Sequence, residues 1–230
     1  MVAFPQDSFP HLVDEQVLSA FEQIWEGLGR PGTWWTGAQR RAIAEAARSA
    51  IADGPRPMGA VIPALADLDS EDGSDISDLV LEVVRRVTSE SGRITAGWAA
   101  EAIDLMGPGR YVELVAVVVL IVPVDLFCGL MDRPRQPLPE VVAGEAVGGV
   151  PRGVAAGEAY VPWLVDGWQG PNVARALSYV PADNERRMAM VSSMYVGSEF
   201  FEMVWSHRSL SRPQIELIAA RTSALNECFY

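Results

Sequence analysis

"TGAQRRAIAEAARSAI", Thr36 to Ile51, holds the pattern from which the fold is read. Thr36 and Gln39 have the spacing of a capping box, in which each side chain satisfies an amide left open at a helix start. Ile43, Ala46, Ala47, Ala50 and Ile51 then return at helical intervals, and the stretch "DGPRP", 53–57, breaks the run. The same opening comes back near the end as "LSRPQIELIAART", 210–222. Setting Gln39 on Gln214, an offset of 175, brings Ile43 onto Ile218, Ala44 onto Ala219 and Thr36 onto Ser211. A tryptophan-bearing segment precedes both, "TWW" at 33–35 and "MVWSHRS" at 203–209. A helical unit used twice implies an all-α chain, and the remaining segments are read against that frame.

Most other segments agree. "DEQVLSAFEQIWEGL" places Val17, Phe21, Ile24, Trp25 and Leu28 on one helical face, and Pro31 among Gly29 and Gly32 ends it. "ISDLVLEVVRRVTSE" and "TAGWAAEAIDLM" are helical in the same way. "RYVELVAVVVLIVPVDLFCGLM", 110–131, is rich in β-branched residues, which favour strands. Its length decides for a helix, with Tyr111, Leu114, Val115, Val118, Val122, Leu126 and Met131 on the inner face and a kink at Pro123. Residues 132–171 contain six prolines and seven glycines in 40 positions, which no packed helix tolerates, so an extended connection is expected there. Helix resumes at "NERRMAMVSSMYVGSEFFEMVW", with Met188, Val191, Met194 or Tyr195, and Phe201 inward. The chain therefore divides into a helical unit over 1–131, a connection over 132–180 and the start of a second unit over 181–230.

Composition excludes several functions. A formal charge of −12 without a local basic patch argues against nucleic acid as a partner. The N-terminus lacks the basic and apolar regions of a secretory leader. The eleven-residue apolar core Leu114–Val124 is short of a bilayer span and is flanked by Glu113 and Asp125, so no membrane association is expected. Two well-separated cysteines, Cys128 and Cys228, suit a reducing, cytoplasmic setting. Six carboxylates crowd into "DLDSEDGSDISD", 67–78, but the glycine needed sixth in a calcium loop stands seventh, so the stretch reads as a solvated loop before a helix. His11 and His207 give no metal-ligand spacing, and no glycine-rich loop has phosphate- or dinucleotide-binding form, so neither a metal nor a cofactor is expected. Tyr195 and Glu199, one helical turn apart, read as packing residues.

"WWTGAQRRAIAEAAR", "YVELVAVVV", "VDLFCGL", "PLPEVVAGE", "ALSYVP" and "SRPQIELIAARTSALNECFY" resemble the two-repeat branch of the AhpD-like, carboxymuconolactone decarboxylase-like family. The resemblance covers most of the chain and is weakest over 53–80. It implies a helical bundle made of one degenerate repeat followed by the opening helices of a second. In the family's peroxidase members a Glu is followed by eleven residues, C-x-x-C, three residues and His. Glu216 and Cys228 match the Glu and the first Cys. The second Cys would fall at 231 and the His at 235, so the second repeat is expected to be incomplete and its catalysis impaired.

The resemblance implies thiol-dependent peroxide reduction by Glu216 and Cys228, with a dithiol reductant as partner. One thiolate takes an oxygen from the peroxide as a sulfenic acid, and a resolving thiol condenses with it before further oxidation. By the family pattern Cys228 corresponds to the resolving thiol. A straight helix would separate Glu216 from Cys228 by about 18 Å and about 120° of rotation, so the chain must turn between them, with Asn226 as the cap of a new helix. In the first repeat the offset puts Arg41, Asp53 and Arg56 where the second has Glu216, Cys228 and position 231, so that copy is read as structural. Cys128 is read as a small buried hydrophobe. Two alternatives stand beside the peroxidase. The first is a non-catalytic helical fragment that oligomerises through Ile215, Ile218 and Phe229, which would make a homo-oligomer. The second is a cofactor-free decarboxylase of the carboxymuconolactone type.

Overall fold

The computed structural model describes residues 3–9, 12–69, 76–194 and 209–225. Among them the chain is all-α: eight helices, three short 3₁₀ turns and one antiparallel pairing of two two-residue strands. Helix α1 (Glu15–Leu28) starts at Asp14, whose carboxylate accepts the Gln16 amide at 2.8 Å. All five residues read as its inner face are buried. Helix α2 (Gly37–Asp53) has the capping box between Thr36 and Gln39 and ends at Gly54, whose φ of 71° suits a residue without a Cβ. Ser77 and Thr95 cap α3 (Asp78–Ser89) and α4 (Ala96–Met106) through their hydroxyls.

Pro108 opens α5 (Pro108–Leu130) at the first turn, where its missing N–H has no cost. At 23 residues α5 has the length and apolarity to cross a membrane, yet 61% of its apolar window is buried by the other helices. It packs against α2, α3 and α4, and the helix continues through Pro123. A single inner stripe does not describe it. Val112, Ala116, Val117, Leu120, Ile121 and Val124 are buried as well, whereas Val115 and Val122 are half-buried and Leu126 is exposed. Surrounded by neighbours, the helix buries more than one stripe.

The Pro/Gly-rich connection contributes β1 (Val154–Ala155) paired with β2 (Trp163–Leu164), and the short α6 (Asn172–Arg175). Its first part is tied to the α1–α2 loop by main-chain bonds: Val142 donates to Gly29 at 2.8 Å and Gly148 to Thr33 at 2.6 Å. The Trp25 indole donates to Pro137 O at 2.9 Å from below. A Cβ on Gly29 would strike the Glu140 carbonyl, so glycine is what admits this approach.

Helix α7 (Pro181–Met194) then packs against α1 and α5. Its orientation departs from the periodicity reading. Asp183 and Met190 are buried, Met188 and Val191 are half-buried, and Met194 is exposed. A buried ion pair of Asp183 fixes the rotation, which apolar spacing did not reveal.

The last helix, α8 (Arg212–Leu225), opens with part of the α2 cap; the bond from the Gln39 amide to Thr36 Oγ1 at 3.3 Å has no counterpart at Gln214, whose amide donates to the Ser211 carbonyl instead. The Ser211 amide and hydroxyl both donate to Gln214 Oε1, at 2.8 and 2.9 Å, as those of Thr36 do to Gln39 Oε1, at 3.0 and 3.1 Å. The surroundings differ. Ile43 is 0% exposed and Ile218 is 55% exposed, and α8 contributes no buried residue. Ile43→Ala is expected to cost about 2–5 kcal/mol by cavity formation. Ile218→Ala should stay within about 0.5 kcal/mol. Urea unfolding of both variants measures the contrast.

Candidate functional site

Of the residues the sequence nominates, Glu216 lies within the described structure and Cys228 outside it. His11, Tyr195, Glu199, Phe201, His207, Asn226 and Phe229 also lie outside the described residues. Glu216 sits on the first turns of α8, exposed, and accepts from Arg212 Nε at 3.5 Å. An exposed pair four residues apart contributes little to stability, so its carboxylate is available to other groups.

The positions that the 175-residue offset sets against Glu216, Cys228 and 231 are occupied by ion pairs. Arg41 donates to Glu45 at 3.3 Å on the exposed side of α2, and Asp53 accepts from Arg85 at 3.2 Å. Arg56 bridges Glu82 at 2.8 Å and Glu90 at 2.7 Å, and Arg86 reaches the second Glu90 oxygen at 2.9 Å. These pairs fasten the segment after α2 to α3. Burial by itself would raise the Glu90 pKa, but hydrogen bonds from the Arg56 side chain and main chain, with the Arg56 and Arg86 charges, bring it down from 4.5 to about 2. Bonds to Glu82 and Glu90 hold Arg56 more firmly protonated.

A second charged cluster lies deeper, and the sequence did not announce it. Arg40 is 1% exposed and Glu113 0%. Arg40 Nη1 donates to Glu113 Oε1 and to Asp183 Oδ2 (2.8 Å), while Nη2 donates to Asp183 Oδ1 (2.9 Å). The other Glu113 oxygen accepts the Trp34 amide at 2.6 Å, and Arg186 adds a bond to Asp183 at 2.9 Å. One guanidinium thus joins α2, α5 and α7. Burial, followed by the negative charge of Asp183, pushes the Glu113 pKa upward against the opposing pull of Arg40. Gly32 lies directly against this carboxylate, where a Cβ would clash. A cleft of about 450 Å³ adjoins the cluster, bounded by Gly27, Gly32, Thr33, Arg186 and the 147–151 strap. The sequence carried two faint signals: an arginine one turn before Ile43 and Ala44 on the inner face of α2, and a glutamate at the head of the apolar run of α5. Glu113 entered the sequence reading only as a charged flank of the apolar run, and Arg40 did not enter it.

Cys128 is buried in the core and free, with Arg133 Nη1 at 3.8 Å from its sulfur. Burial pushes the thiol pKa up, opposed by Arg133, so the thiolate is disfavoured. A closed, protonated thiol suits packing rather than attack on a substrate. No family model, curated protein or solved structure matches the chain.

Arg40→Met leaves two buried carboxylates without a cation and is expected to cost about 3–5 kcal/mol in urea unfolding. Arg40→Met combined with Glu113→Gln and Asp183→Asn should recover part of that loss. For Glu90 the folded pKa lies below the unfolded one. Its stabilising contribution is therefore complete above about pH 4.5 and is lost as the pH falls toward 2. Glu90→Gln should lower stability at pH 7 and flatten the stability–pH slope between those values.

Proposed function

We propose that the chain is an AhpD-like helical protein whose chemistry is thiol-dependent peroxide reduction, carried on the last helix and the residues after it. Cys228, at the family's resolving position, is the thiol assigned to the reaction and Glu216 the proton-transfer group, with a dithiol as the source of reducing equivalents; lacking the motif's second cysteine and its histidine, the 230-residue sequence carries an impaired form of this activity. The observation that supports this reading is the partly matched opening of α2 and α8. The shared cap bonds, made through Thr36–Gln39 and Ser211–Gln214, set Glu216 at the helical position that Arg41 holds in α2. In the first copy that position, Asp53 and Arg56 are committed to ion pairs, leaving the second copy as the one with a thiol to spend.

In the proposed cycle the Cys228 thiolate takes one oxygen from the hydroperoxide, releasing the alcohol and leaving a sulfenic acid. One thiol of the external dithiol displaces water from that sulfenic acid to form a mixed disulfide, and its second thiol closes the dithiol's own disulfide and releases Cys228. Peroxide consumption in the presence of dithiothreitol should be lost in Cys228→Ser and retained in Cys128→Ser. Equal rates for wild type and Cys228→Ser would overturn the assignment.

A second reading, association through the last helix, has its own observation. Leu217, Ile218 and Leu225 are 70%, 55% and 65% exposed, although Ile218 matches the fully buried Ile43 of α2. Such a face is unusual unless something covers it. Sedimentation equilibrium should show self-association that Ile218→Glu with Leu225→Glu reverses. A concentration-independent monomer would remove this reading.

A further inference from the structure

Val115, Val119, Val122 and Leu126 return every three or four residues along α5, and none of them is fully buried. They line a groove of about 910 Å³. Val87 and Thr88 of α3, with Ser91, Gly92 and Ile94 beyond it, form one side. Tyr160, Val161, Ala176 and Leu177 of the connection form another, and Thr222 and Ser223 of α8 complete the boundary. The space is thus concave and bounded by three separate segments around α5, with the size of a small-molecule site rather than the flatness of a subunit interface.

The chemistry of the lining is selective. Charged residues make up 21% of the chain, yet none of the 18 lining residues carries a charge. Carboxylates, phosphates and ammonium groups would be desolvated there without a counter-charge. The polar groups offered are hydroxyls, from Ser91, Tyr111, Tyr160, Thr222 and Ser223. Thr88 Oγ1 is sealed within the wall and out of contact with the space, so it is no partner for a ligand there. Tyr111 is buried at the groove, and burial raises its hydroxyl pKa to about 12, keeping it a neutral donor.

We infer that this groove binds a neutral, largely apolar small molecule bearing a single hydroxyl or carbonyl, of the long-chain alcohol, aldehyde or ketone class, with its oxygen hydrogen-bonded to Tyr111. The α5 valines receive the hydrocarbon body, and the charge-free lining rejects the corresponding acid. Glu216 is not among the lining residues, and the binding test needs no thiol, so its failure is distinguishable from failure of the thiol chemistry.

Calorimetric titration of the full chain with 1-decanol and with decanoate tests this. One equivalent of 1-decanol should bind saturably, and decanoate, of the same length, should bind at least about tenfold more weakly. Val119→Trp, which fills the groove, should weaken 1-decanol binding about tenfold or more with unchanged circular dichroism; Val122→Phe serves if that variant does not fold. Tyr111→Phe, which removes the hydroxyl and keeps the ring, should weaken it several-fold. The inference is overturned by non-saturable 1-decanol uptake, by decanoate binding as tightly, or by a groove-filling variant that binds as wild type. It is also overturned if the free chain is a dimer that Val119→Trp dissociates, since the groove would then be covered by a second copy.

Discussion

A guanidinium buried at 1% exposure can persist only where its charge is met, and Arg40 is met twice, by Glu113 and by Asp183. The partners stand 73 and 143 residues away, on α5 and α7, so this one side chain fixes three helices that are remote in sequence. Asp183 sets the rotation of α7 and thereby which of its methionines is buried. Glu113 also accepts the Trp34 amide, which draws the α1–α2 loop inward and leaves room at residue 32 for glycine alone. The Pro/Gly-rich strap is bonded to that same loop. Ion pairs of this kind are weak sources of net stability; their effect here is to exclude other registers of the same helices.

The two related helix openings show how far a local code reaches. Both carry a Ser or Thr, then Gln three residues on, and in both the cap amide and hydroxyl donate to the Gln oxygen, while α2 alone adds the bond from the Gln amide back to the cap hydroxyl. Around α2 the segments from α1, α3 and α5 convert the apolar face into core. Around α8 the corresponding face remains open. The functional proposal follows this asymmetry. At the 175-residue offset Arg41 pairs within α2, and Asp53 and Arg56 pair with α3 and its end; the proposed second copy has a carboxylate there and, further along the sequence, a thiol. The apolar groove is a third consequence of helix packing, because α5 is longer than its neighbours can cover.

The helices themselves were legible because periodicity, caps and breakers are short-range signals. Asp14, Thr36, Ser77 and Thr95 each bond an amide two or three residues ahead, and Gly54 and Gly107 end α2 and α4 with positive φ. The inner face of α1 was legible for the same reason, since its neighbours lie on one side. The faces of α5 and α7 were not. A helix enclosed on several sides has no single stripe to find, and a helix rotated by a buried salt bridge obeys a partner that spacing cannot name. Glu216 was nominated by motif spacing alone, while the Arg40 cluster and the groove beside α5 had no motif to mark them.

The sequence by itself determined that the chain is helical, where most helices start and stop, and that its two cysteines have different surroundings in the chain. Only the tertiary structure decided that Arg40 is a buried clamp rather than surface charge, that Cys128 is sealed, and that a charge-free groove exists beside α5. The reason is range: caps and periodicity act over a few residues and are written locally, whereas burial and charge pairing depend on which distant segments the fold brings together.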